Sequence, residues 1–192
     1  MDDFLSGYRS EVVEAFSAID LYSVGCVLEA VLATRSRGST IFVVGNGGSA
    51  STASHIATDF MLGSGLSNPP LRVISLADNM ASITATGNDH DFQQIFSRQL
   101  SKLAKSKDML LAVSASGNSP NIVQCVAAAK DLDLLTVGFT GFDGGELARR
   151  VDLLVHVPTR IGAYGAVEDA HLMVNHMITE QLQRIAAEEA HS

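Results

Sequence analysis

The chain lacks most features that would mark a secreted, membrane or nucleic-acid-binding protein. Its 192 residues include only two cysteines, Cys26 and Cys125, with no second Cys near either. That excludes a disulfide framework or a cysteine metal cluster; both read as small buried apolar side chains in a reducing compartment. No apolar run approaches the roughly 18 residues needed to cross a bilayer. No basic cluster stands out, and a net charge of −8 opposes a nucleic-acid surface. The opening Met1-Asp2-Asp3-Phe4 carries acid and no basic segment, so no signal peptide is expected. Linker composition and internal repeats are also missing. A cytoplasmic protein is expected, made of one domain over 1–192, with 46% hydrophobic residues to build its core.

What is present is a strand–turn–helix pattern, met twice. The β-branched run Ile41–Val44 stops at Gly45-Asn46-Gly47-Gly48-Ser49 and gives way to a helical pattern. Glycines let backbone approach a ligand closely, and the free N–H groups of a helix N-terminus attract an anion. Downstream, Met109–Val113 runs into Ser114-Ala115-Ser116-Gly117-Asn118-Ser119 before a helix opens at Pro120. Serines add hydroxyl donors to the backbone N–H groups. Two such turns point to a phosphorylated, polyhydroxylated ligand held at strand C-termini. The first turn lacks the Gly-Lys-Ser/Thr ending of a P-loop and the Gly-x-Gly-x-x-Gly spacing of a dinucleotide fold, which argues against both nucleotide chemistries.

Around these turns, strand and helix patterns alternate from Thr40 onward. Strands are predicted at 41–44, 71–75, 109–113, 134–140 and 153–157. Helices are predicted at 49–62, 79–87, 92–104, 120–130, 145–149 and 166–187. The strands are almost wholly apolar, as in a parallel sheet covered on both faces. The reading is a three-layer α/β/α domain, its core spanning 40–188. Before it, a helical pattern from Asp3 to Thr34, with Gly25 as a possible break, forms a segment over 1–35. Its apolar face needs cover, for which a partner subunit is the natural source.

His55 and Asp59 stand at i and i+4 on the helix after the first turn, sharing a face. That pair suits a metal, acid–base work or a solvent-facing ion pair. On the last helix, Glu168 is three residues from His171 and eight from His176, the latter about 12 Å of rise. Spacing does not choose between the two histidines. His156, in an apolar strand, reads as a paired core or edge residue.

Taken together, Gly45–His55, Thr86-Gly-Asn-Asp89, Ile95-Phe-Ser-Arg98, Ser114–Ser119, Thr140-Gly-Phe-Asp-Gly-Gly145 and the Glu168…His176 helix resemble the sedoheptulose-7-phosphate (phosphoheptose) isomerases of the sugar isomerase (SIS) class. The resemblance runs in order from the first helix to about residue 185. It implies a flavodoxin-like five-stranded parallel sheet, a homotetramer with active sites partly across interfaces, and interconversion of a ketose and an aldose phosphate. It assigns phosphate binding to the hydroxyls of Ser49, Ser114, Ser116 and Ser119, with Asn46, Gly47, Gly48 and Ala115 in the same turns. Asp89 matches an active-site carboxylate, Asp59 stands where the family has a catalytic Glu, and His176 matches the catalytic His. The resemblance also implies one zinc ion per subunit, held by His55, Asp59, Glu168 and His176.

The chain departs from that pattern at several positions. Glu168 replaces the usual Gln, Ser64 an Arg, Ala115 a Thr and Gly165 an Asp. The resemblance implies an isomerase of sedoheptulose 7-phosphate in which Asp59 or Glu168 moves a carbon-bound proton and His176 serves as partner acid and base. An imidazole suits that work because its ordinary pKa of about 6.5 lies near neutrality. Two alternatives are an isomerase of another phosphosugar, in capsule or secondary-metabolite synthesis, and a non-catalytic SIS regulator that binds the replication initiator. Such regulators tend to lose the second histidine, whereas this chain keeps His55 and His176.

Overall fold

The computed structural model describes residues 2–191; Met1, which begins the acidic leader, and Ser192 lie outside it. Five strands form a single parallel sheet: β1 (Thr40–Val44), β2 (Arg72–Ser75), β3 (Met109–Ser114), β4 (Leu135–Phe142) and β5 (Leu153–Pro158), in the order β2-β1-β3-β4-β5. Successive side chains on a strand face opposite ways, so a wholly apolar strand feeds two cores. On β1, Ile41 and Val43 enter one core with Val113 and Phe139, while Phe42 and Val44 enter the other with Leu110 and Ala112.

The first core is closed by helices α1 (Asp2–Ser17), α2 (Leu21–Ser36), α3 (Gly48–Thr58) and α7 (Tyr164–Ala190). The second lies under α5 (Ser97–Leu103) and α6 (Pro120–Asp131), with Ile83 of α4 (Met80–Asp89) packed at its margin. The three layers expected from the sequence are present. Among the described residues, no single helix is long and apolar enough to cross a membrane.

Three expectations need correction. The N-terminal helix does break, but not at Gly25, which lies inside α2. The break is at Asp20, whose carboxylate accepts from Tyr22 N at 3.0 Å and Ser23 N at 3.3 Å. A capping side chain satisfies the orphan N–H groups of a new helix, whereas a lone glycine in a well-packed helix costs only about 1 kcal/mol. The segment 92–104 is not one helix: a 3-10 turn at Phe92–Gln94, capped by Asp91, precedes α5. Finally, the helix after the first turn ends in a π-helical turn, Asp59–Gly63, instead of continuing as α.

Candidate active site

Strands are added toward one edge of the sheet from β1 to β2 and toward the other from β3 onward, and ligands of open α/β sheets bind at such switch points. The two turns singled out from the sequence follow those two strands. After β1, a Cβ on Gly45 would lie 2.2 Å from Ser49 O, and Gly47 takes φ +55 as the cap of α3. Only glycine permits so sharp a passage from strand to helix. Ser49 is buried on the first turn of α3. After β3, Ser114 Oγ accepts from Gly117 N at 3.2 Å and stands 3.5 Å from Ser119 Oγ. Ser116 Oγ accepts from Asn118 N at 3.2 Å. Ser119 precedes Pro120 at the start of α6 and makes no side-chain capping bond. Asn46 and Asn121 lock the turns together, each amide donating to the other at 2.8 and 2.9 Å. Ala115 is buried between Ser114 and Ser116 and offers only backbone.

A second group lies further along α3. His55 and Asp59 do share a face, and α7 brings His176 to them. Asp59 Oδ2 lies 3.4 Å from His55 Nε2 and 4.0 Å from His176 Nε2, and the two rings meet edge to face at 5.3 Å. One potential ligand atom from each of these residues lies within 4.8 Å of the others. The structure thereby separates the two histidines that spacing left open. His176 is exposed beside Asp59, whereas His171 is fully buried, its Nε2 3.2 Å from Thr140 O. Burial pushes His171 down to about 4, so it is a neutral core residue. His156 is indeed an edge-strand residue, its Nδ1 3.0 Å from Thr140 Oγ1.

Asn175 is a site residue that the sequence reading missed. It is fully buried on α7 and donates from Nδ2 to Asp59 Oδ2 at 2.6 Å. In the sequence it is one more amide on the last helix; its burial, which requires a partner, appears only in the fold. The π turn matters too: a wider turn beginning at Asp59 changes where its side chain points relative to an ideal helix. α7 runs alongside α3 in the same direction. Glu168 is level with Gly48, Asn175 with Asp59, and Gln183 donates to Gly63 O at 2.8 Å.

That ladder corrects the four-residue metal set. Glu168 is not with His55, Asp59 and His176; a Cβ on Gly48 would lie 2.2 Å from Glu168 Oε2. Its carboxylate therefore sits against the first turn of α3, two helical turns from His176. Burial, then the neighbouring Asp169, pushes the Glu168 carboxyl above its ordinary value. Asp89 is exposed at the last position of α4, accepting from Asn88 Nδ2 at 2.7 Å, about 14 Å of helical rise from Met80. Among the described residues, no hydrogen bond or ion pair carries it to the turns or to the histidines.

Comparison with known proteins places these residues in context. Residues 8–141 match the SIS domain family. The chain is 40% identical over 145 residues to a phosphoheptose isomerase of Nitratidesulfovibrio vulgaris, covering 76% of this chain and 69% of that one. It is 31% identical over 161 residues to the phosphoheptose isomerase of Paramagnetospirillum magneticum, covering 84% and 83%. The structure of phosphoheptose isomerase GmhA from Neisseria gonorrhoeae superposes with a TM-score of 0.87 at 27% identity, covering 95% and 98%.

Proposed function

The chain belongs to the phosphoheptose isomerases of the SIS-domain family, and from that premise we propose how its own residues carry the interconversion of sedoheptulose 7-phosphate and a heptose 7-phosphate. The observation that carries the reading is Asp59: a half-buried carboxylate aimed by Asn175 and flanked by two imidazole nitrogens. The Ser114–Ser119 turn and the N-terminus of α6 hold the phosphate, with Ser49 and Asn46 closing the adjoining turn. Asp59 removes a proton from C1 of the ketose as the C1–C2 double bond forms, and O2 takes a proton from His176. The enediol then returns its O1 proton to His176, and C2 receives the proton held by Asp59. Both side chains end as they began, which an isomerisation requires. His55 supports the pair by supplying a second donor toward Asp59.

The same residues suit a cation. Two imidazoles and a carboxylate whose ligand atoms lie within 4.8 Å of one another match a zinc donor set with an open position. Bound zinc would polarise the substrate carbonyl as a Lewis acid. Glu168 is outside this set. A lone pair given to a cation cannot take up a proton, so chelation distinguishes the two uses of the cluster.

An assembly completes the reading. No residue of α4 is buried, and Phe4, Leu5 and Val13 of α1 are exposed. These faces support a homotetramer, in which Asp89 of one subunit completes the site of another. The buried Cys125 thiol, pushed up to about 12 by desolvation, is inert and suits a cytoplasmic protein. The test is NMR of purified protein with sedoheptulose 7-phosphate in D2O. Aldose signals should appear, with solvent deuterium competing for the transferred position; an unchanged ketose spectrum overturns the assignment.

A further inference from the structure

The segment Thr140–Gly145 and the two residues after it have no part in the isomerisation above, yet they are bound to the serine turn at three places. Gly141 N donates to Ala115 O at 2.9 Å, Leu147 N to Gly117 O at 2.8 Å, and Glu146 N to the side-chain Oδ1 of Asn118 at 2.9 Å. Between these bonds the two turns meet backbone to backbone. A Cβ on Gly117 would strike Gly144 O, and one on Gly145 would strike Ser116 O. Gly117, Gly144 and Gly145 all take positive φ. Phe142 does so too, at φ +53, in left-handed backbone that a bulky residue seldom adopts; its ring stands edge to face against Tyr164 at 5.0 Å. Such backbone persists only where its surroundings hold it, and it gathers at ligand clamps and active sites.

We infer that Asn118 is a positioning residue for phosphate binding: it ties the serine turn to the turn after β4 and so fixes where the Ser116 hydroxyl stands. The inference rests on the sugar-phosphate reading above and deepens it. The Asn118 amide bridges the two turns, its Oδ1 accepting from Glu146 N and its Nδ2 donating to Ser116 O at 3.0 Å. Both partners are main-chain groups with fixed roles, so only one orientation of the amide satisfies them. The main chain of the same residue completes the hold, Asn118 N donating to Ser116 Oγ at 3.2 Å. A hydroxyl that accepts this bond keeps its own proton to donate, as a phosphate oxygen requires. None of these bonds reaches Asp59 or His176. Loss of the amide should therefore be felt in binding and not in proton transfer.

The experiment follows steady-state isomerisation of sedoheptulose 7-phosphate, and calorimetric binding of inorganic phosphate, in the full chain and its variants. Asn118→Ala should raise KM and weaken inorganic phosphate by about fivefold to tenfold, with kcat within about twofold and melting unchanged. Glu146→Pro removes the N–H that Asn118 accepts, at a φ of −71 that proline adopts, and should act in the same direction. Glu146→Ala keeps that N–H and loses only an exposed ion pair with Arg150, so it should match wild type. Asn118→Ala combined with Glu146→Pro should be no worse than Asn118→Ala alone, because the bond removed is shared. The inference is overturned by an Asn118→Ala enzyme within about twofold of wild type in both KM and phosphate affinity, by a loss carried in kcat, or by equal behaviour of Glu146→Pro and Glu146→Ala. Should Glu146→Pro fail to fold, Asn118→Ala decides alone. Turnover with a KM indifferent to Asn118 defeats only the positioning role. Phosphate binding that responds to Asn118 without turnover defeats only the isomerase reading, and absence of both defeats both.

Discussion

Replacing Asn175 by alanine probes the most specific feature of the proposed site. The amide is fully buried and donates to Asp59 Oδ2 at 2.6 Å, a hydrogen bond to a charged acceptor. Such bonds contribute about 1.5–3 kcal/mol. The Asp59 side chain keeps 20% of its surface exposed, so water can partly replace the lost donor, and the lower half of that range applies. At about 1.4 kcal/mol per factor of ten, a loss of about 1.5–2 kcal/mol is a 10–30-fold fall in kcat/KM. The fall should come mainly in kcat, since Asp59 is placed to act on the reacting carbon and not on the phosphate. Asn175→Asp keeps the volume but sets a second carboxyl against Asp59, so it should be worse than alanine. Initial rates of aldose formation across a range of ketose concentrations give both parameters. An alanine variant within twofold of wild type, or an aspartate variant no worse than alanine, would refute the assigned role.

Four further outcomes follow from the same geometry. Ser116→Ala and Ser119→Ala should each weaken sugar-phosphate binding by about 1.5–3 kcal/mol with unchanged melting, and equal affinity by calorimetry would remove the serine turn from the site. If the His55, Asp59 and His176 cluster holds zinc, dialysis against chelator should abolish activity and zinc restore it; trace metal with chelator-resistant turnover would exclude that use. Light scattering at micromolar protein should give at least a dimer, and the 20.3 kDa monomer mass would sink the shared site. His171, folded at about 4, stays neutral while an unfolded histidine protonates near pH 6.5, so stability is lost as pH falls through that window. The loss amounts to about 3 kcal/mol, and in His171→Gln the denaturant midpoints at pH 7 and pH 5 should differ by less than in wild type.

The two strand–turn–helix passages were legible in the sequence because their geometry is local. Gly45 must clear Ser49 O, Gly47 must take a positive φ, and the glycines announce both. The strands were legible for a related reason: a strand feeding two cores has no polar position to spare, and β1 and β3 read as unbroken apolar runs. What escaped depended on other elements. The break before α2 is made by a capping carboxylate, which looks like any surface acid until the helix starts. The π turn at Asp59 has no composition of its own. Asn175 matters only because α7 runs parallel to α3, a relation no spacing within either helix reveals. The placement of Glu168 was not readable: eight residues on one helix put about 12 Å of rise between it and His176, but only the packing of α7 on α3 sets its carboxylate against Gly48.

The departures from the family pattern also gain a physical sense from their surroundings. Ser64 is wholly buried, donating to Phe60 O at 2.7 Å and accepting from Leu66 N at 3.3 Å. The hydroxyl is thus committed to the turn that follows α3, where a long cationic side chain would not fit. At Gly165, a Cβ would lie 2.8 Å from the Tyr8 hydroxyl, which instead holds Asp169. A carboxylate at 165 would have to displace the Tyr8 side chain from Asp169. At both positions the residues present are committed to packing and local hydrogen bonds. The serine turn keeps its hydroxyls and its paired asparagines, while Glu168 lies against the first turn of α3.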